Sequence, residues 1–140
     1  MVAHVVLPPE PASARRARQH VAALLEAEDA DGLADVAGLL VSELVTNAVL
    51  HARSEVEVRV SSGPTAVRVE VVDGSARQVA RRHFSPESAT GRGMLLVEAL
   101  ATGWGVEPRV TGRRVTGKAV WFELARRPEA VPAGTGARSA

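Results

Sequence analysis

The 140-residue chain contains no cysteine. Disulfides, thiolate metal sites and cysteine nucleophiles are therefore excluded. Two Trp and two Phe are all its Phe, Trp and Tyr residues, 3% of the chain, so rings on which nucleobases could stack are scarce. Lysine occurs once, at Lys118. Charge of either sign is not in excess: 17 Lys and Arg face 16 Asp and Glu, a formal net of +1. A general nucleic-acid binder carries a strong basic excess, so no direct contact with nucleic acid is expected. No apolar run approaches the roughly 20 residues that span a bilayer, so no membrane association is expected. Residues 1–9 lack the basic region and long apolar segment of a secretory signal. A soluble, cytoplasmic protein is the expectation. The four histidines, at 4, 20, 51 and 83, are scattered without the spacing of zinc ligands.

What is present is a core. Hydrophobic residues make up 46%, enough to exclude a disordered chain, and the length suits one domain. The run from Val2 to Leu7, stopped by Pro8 and Pro9, reads as an edge strand. Ser13 is expected to cap a first helix that reaches Glu28, with Val21, Leu24 and Leu25 as its buried face. A break at 29–32 precedes a second helix from about Leu33 to Ala52. Two alternating runs follow, Glu55 to Ser61 and Ala66 to Val72, joined at Gly63 and Pro64. They predict an antiparallel hairpin. Residues 76–89 show no period and read as a long loop, of the kind that is either a functional lid or disordered. A third helix, Met94 to Ala101, is expected to pack through Leu95, Leu96, Val97 and Leu100. Strands at 104–110 and 119–124 close the domain near residue 125. Residues 126–140, with Pro128, Pro132, Gly134 and Gly136, are expected to be a disordered tail. Strands arrive in neighbouring pairs rather than alternating with helices. That order favours an α+β, two-layer sandwich with a mostly antiparallel sheet and helices on one face.

Three places could carry chemistry. In the second helix, Glu43 and Asn47 lie four residues apart and share a face, flanked by Ser42 and Thr46, with His51 continuing the stripe. Polar groups in so apolar a helix need partners, supplied either by the fold or by a ligand and a metal. An amide oxygen suits Mg²⁺ that is otherwise held by phosphates and water. A carboxylate one turn earlier could take a proton from an attacking hydroxyl. Asp73, followed by Gly74 and Ser75, ends an apolar strand; it is either an ordinary Asp-Gly turn or an acceptor for an exocyclic amine such as that of adenine. Gly91, Arg92 and Gly93 open the third helix, where free amides and a charged fork favour phosphate; the alternative is a flexible helix entry. Gly112 to Lys118 matches the first seven positions of a P-loop, but Ala119 replaces the hydroxyl residue and a strand follows where a helix is required.

Taken in order, these segments resemble the nucleotide site of the GHKL ATPase superfamily. The likeness is closest to its small branch of anti-sigma-factor serine kinases and related ATP-binding regulators from actinobacteria. Residues 43–52 look like that branch's N box, 69–75 like its adenine box, 83–106 like its lid and glycine box, and 117–124 like its closing strand. The resemblance implies the Bergerat-type α/β sandwich, with ATP and Mg²⁺ as ligands. It would make Asn47 the Mg²⁺ ligand and Glu43 the general base toward a serine hydroxyl. Asp73 and Ser75 would lie at the adenine, and Gly91, Arg92, Gly93 and Met94 along the phosphates. A sigma factor and an anti-sigma-factor antagonist protein would be the partners, with Arg15, Arg16 and Arg18 of the first helix either a solvated face or available to them; family members often form homodimers. The alternative is a nucleotide-responsive binding module without kinase activity. Two positions depart from the family pattern. Ser75 stands where the wider superfamily has Gly, and Ala119 where Thr commonly helps hold the adenine end, which predicts a weaker hold on the base.

Overall fold

The computed structural model describes residues 1–75 and 93–126. The expected loop at 76–89 and the tail from 127 lie outside the described residues. Five strands form one sheet: β1 (Val2–Leu7), β2 (Val56–Ser62), β3 (Ala66–Asp73), β4 (Gly103–Thr111) and β5 (Arg114–Ala125). Their spatial order is β1-β2-β3-β5-β4, and every neighbouring pair is antiparallel. Helices α1 (Ala12–Ala27), α2 (Ala34–His51) and α3 (Gly93–Leu100) complete the described fold, with a 3₁₀ turn at Asp31–Leu33 leading into α2.

The sheet has two unlike faces because side chains alternate along each strand. One face carries Val56, Val58 and Val60 of β2, Val67, Val69 and Val71 of β3, and Val120, Phe122 and Leu124 of β5, all buried. Helices α1 and α2 pack on this face. The other face is polar. There Arg68 lies over the Trp121 ring at 4.0 Å, and its guanidinium pairs with Glu70 at 3.1 Å and Glu123 at 3.5 Å. Gly105 lies opposite Trp121 in the β4–β5 ladder, and a methyl group there would come within 2.8 Å of the indole nitrogen. The fold is therefore the expected α+β two-layer sandwich.

Local chemistry explains the helix boundaries. At its C-terminus α1 closes with a Schellman pair: Ala30 N–H donates to Leu25 O at 2.7 Å and Asp29 N–H to Glu26 O at 3.2 Å. Asp29 holds the left-handed conformation this needs, at φ 58°, and Arg53 does the same after α2, at φ 54°. The beginning of α1 differs from expectation. Pro11 occupies the cap position, and Ser13 sits inside the first turn with its hydroxyl donating to Pro8 O at 2.6 Å. The buried stripe is Ser13, Ala17, Val21 and Leu25 at strict four-residue spacing, while Leu24 is only half-buried.

Two further expectations change. By length and composition alone, Asp31–His51 could cross a membrane; in this fold Ala37, Leu40, Val41, Leu44, Val45 and Ala48 are buried in the shared core. In α3, Met94 and Val97 make the buried contacts, whereas Leu95 and Leu100 are exposed. The P-loop-like run lies in the β4–β5 hairpin, with Gly112 at φ 64° in its turn, so no helix follows it.

His20 on α1 has a consequence for pH. Its Nε2 is buried without a partner, and burial, followed by the charge of His4, lowers its pKa from 6.5. The unfolded imidazole then binds a proton at higher pH than the folded one. Stability is full above pH 6.5 and falls as pH drops from there through the lowered folded value. His20→Gln is expected to flatten this dependence, read as a smaller loss in urea midpoint between about pH 7.5 and about pH 5.5. An unchanged loss would contradict it.

Candidate functional site

Helix α2 separates its polar residues by what satisfies them. The Ser42 hydroxyl donates to Leu39 O at 3.0 Å, and the Thr46 hydroxyl to Ser42 O at 2.8 Å. Both are internal back-bonds of the helix. His51 lies at the last turn of α2 and is exposed. Asn47 differs: its Oδ1 is buried and has no hydrogen-bond partner. A buried amide oxygen without a donor is unfavourable by about 1–3 kcal/mol, and a cation or a ligand donor removes that penalty. Glu43, one turn earlier on the same face, is buried at 8% exposure.

Strand β3 carries the second part. Val67, Val69 and Val71 point into the core, and Asp73 continues that parity at the end of the strand. Its carboxylate is buried and fully ordered by neighbours. Ser75 N–H donates to Oδ1 at 2.8 Å, closing a local turn. The Lys118 ammonium donates to Oδ1 at 3.2 Å and to Oδ2 at 3.0 Å. Asp73 and Lys118 face each other directly across the β3–β5 ladder. Gly117 permits the approach, because a Cβ there would run into the Asp73 carbonyl oxygen. On the other side, Gly74 N–H donates to the Ser54 hydroxyl at 2.9 Å, which ties the turn after α2 to this strand end.

The ladder relocates the departure at position 119. Ala119 pairs with Val72 and Glu107, on the face opposite Asp73. A hydroxyl at 119 would therefore not reach the Asp73 side of the sheet. The side chain that does is Lys118, which the sequence reading passed over as a site residue. A signal was there: the single lysine shares strand parity with Val120, Phe122 and Leu124, and so belongs to the core face.

The third part is described only from Gly93 onward. Gly93 starts α3, and Met94, at 3% exposure, joins the core. Gly91 and Arg92 lie outside the described residues. Helix α2 packs against β3 and α3, so Asn47, Asp73, Lys118 and Met94 belong to adjoining elements around one layer interface. Among the described residues, no three His, Asp or Glu side chains cluster as a metal cage. One neutral amide oxygen fits Mg²⁺, which keeps most of its ligands as water and phosphate oxygens.

The chain has no match among curated proteins. Residues 7–122 match the family described as the histidine kinase-like ATPase domain. That match spans α1 through most of β5 and includes Glu43, Asn47, Asp73 and Lys118. With its antiparallel sheet, its packed helices and this extent of match, the chain belongs to the histidine kinase-like ATPase domain family, of the GHKL type.

Proposed function

We propose that this protein is an ATP-binding anti-sigma factor with protein-serine kinase activity, acting on a small anti-sigma-factor antagonist. The observation that carries the nucleotide half is the orphaned Oδ1 of Asn47, buried one helical turn from a buried carboxylate. Asn47 would hold Mg²⁺, which when bound neutralises charge on the phosphates. Glu43 would orient the serine hydroxyl and accept its proton as the oxygen bonds to the γ-phosphorus of ATP and the bond from that phosphorus to the bridging oxygen breaks, releasing ADP. Asp73 accepts from the exocyclic amine of adenine, with Ser75 N–H fixing the carboxylate. By the family pattern, Gly91, Arg92 and Gly93 would serve the phosphates. A phosphoserine adds close to two negative charges at neutral pH, enough to break a fitted protein interface, which gives the transfer a regulatory output.

Calorimetric titration with Mg-ATP, followed by transfer of labelled γ-phosphate to candidate antagonists, tests this. Saturable binding and labelled phosphoserine are expected. Binding without transfer would leave a nucleotide-responsive module in place of a kinase. No binding at millimolar Mg-ATP would overturn both.

A further inference from the structure

Lys118 is unusual among the charged groups of the described residues. It is 6% exposed, its ammonium is bonded to both oxygens of Asp73, and Asp73 is itself 5% exposed. The ion pair lies where the nucleotide reading puts the purine amine. We infer that Lys118 is an affinity-determining residue that weakens adenine recognition by occupying the carboxylate that the base must use. This inference rests on the nucleotide site proposed above.

The reasoning is a count of donors and acceptors. A carboxylate offers about four lone-pair sites. Ser75 N–H takes one on Oδ1, and the ammonium takes one on each oxygen. One direction remains on Oδ2, and the charge behind it is already neutralised by Lys118. A hydrogen bond to an ionised acceptor is worth about twice one between neutral groups. An incoming amine thus meets either a weakened acceptor or an ammonium that it must displace from a dry contact. Gly117 adds to the effect, since its missing side chain lets β5 lie close against the Asp73 backbone.

The test compares Mg-ATP affinity by calorimetry in the wild type, Lys118→Gln, Lys118→Met and Asp73→Asn. Gln keeps an amide donor for Asp73 without the charge, and guards against a Met variant that does not fold. Both Lys118 variants are expected to bind about tenfold more tightly than wild type, the ratio expected when the acceptor regains its charge. Asp73→Asn is expected to bind more weakly. If the wild type binds Mg-ATP and Lys118→Gln binds equally or less tightly, this inference is overturned and the nucleotide site stands. A Lys118 side chain that instead donates to the base would give that result. If neither wild type nor any variant binds, the nucleotide site itself is overturned, and this inference with it.

Discussion

Replacing Glu43 by Gln is expected to slow phosphoryl transfer to the antagonist by roughly 10²- to 10⁴-fold, the usual contribution of a general base. Mg-ATP affinity should stay close to wild type. The two side chains have nearly the same shape, so the packing of α2 around a residue that is 8% exposed is preserved. Gln lacks the charge and the capacity to take a proton, and presents an NH₂ donor in place of one accepting oxygen. Because the transition state of phosphoryl transfer is loose, little covalent assistance is needed, and what is lost is orientation of the hydroxyl together with a destination for its proton. The split between binding and rate is the informative readout. A residue that merely supported the helix would lower affinity and rate together, and an unchanged rate would remove Glu43 from the reaction. Asn47→Ala gives the contrast: if its buried, unpartnered Oδ1 holds the Mg²⁺ of Mg-ATP as proposed, binding should fall with the rate.

The roles of neighbouring residues on α2 were only partly legible in the sequence. Spacing alone put Glu43 and Asn47 on one face, and the fold keeps them there. It could not tell which polar groups the helix would satisfy by itself. Ser42 and Thr46 were resolved only once their hydroxyls were seen to donate to Leu39 O and Ser42 O. The strands were easier. Strict alternation in 56–60 and 67–71 fixed both the faces and the hairpin, and every one of those valines on the inner face is buried. Boundaries and caps failed where backbone conformation decides. Asp29 ends α1 in a left-handed conformation usually given to glycine, although Gly32 lies close by, and Ser13 bonds to Pro8 instead of capping. The α3 face was misjudged because six apolar side chains in eight residues leave the periodicity degenerate; Met94 and Val97 are inside and Leu95 is not. Asp73 was legible as a candidate for the base end, whereas its ion-pair partner Lys118 was not. Position 119 was read without the strand register, which puts it opposite Val72 and puts the lysine beside it opposite Asp73.

Removing either member of the Asp73–Lys118 pair is expected to destabilise the fold by roughly 3–5 kcal/mol, whereas Asp73→Asn with Lys118→Met together should recover most of the loss. A buried charge without its partner keeps its desolvation penalty and loses the attraction that offset it. Against a total stability of about 5–15 kcal/mol this is a large fraction, on the order of 10–20 °C in melting temperature for a domain of this size. Lys118→Met should be the more damaging single change, because Asp73 then retains only the Ser75 N–H, at 2.8 Å. Asp73→Asn should be milder, since its one amide oxygen can still accept from Ser75 and Lys118, although the ammonium loses its counter-charge and its second acceptor. The measurement is a double-mutant cycle by urea unfolding, and single effects that simply add would show that the two charges are not coupled. The same cycle bears on the ligand. A base amine that satisfies the carboxylate exposed by Lys118→Met acts as a replacement partner, so Mg-ATP should raise the melting temperature of that variant more than that of the wild type. The ion pair would then be a structural element of the free protein and a competitor of the bound nucleotide for the same two oxygens.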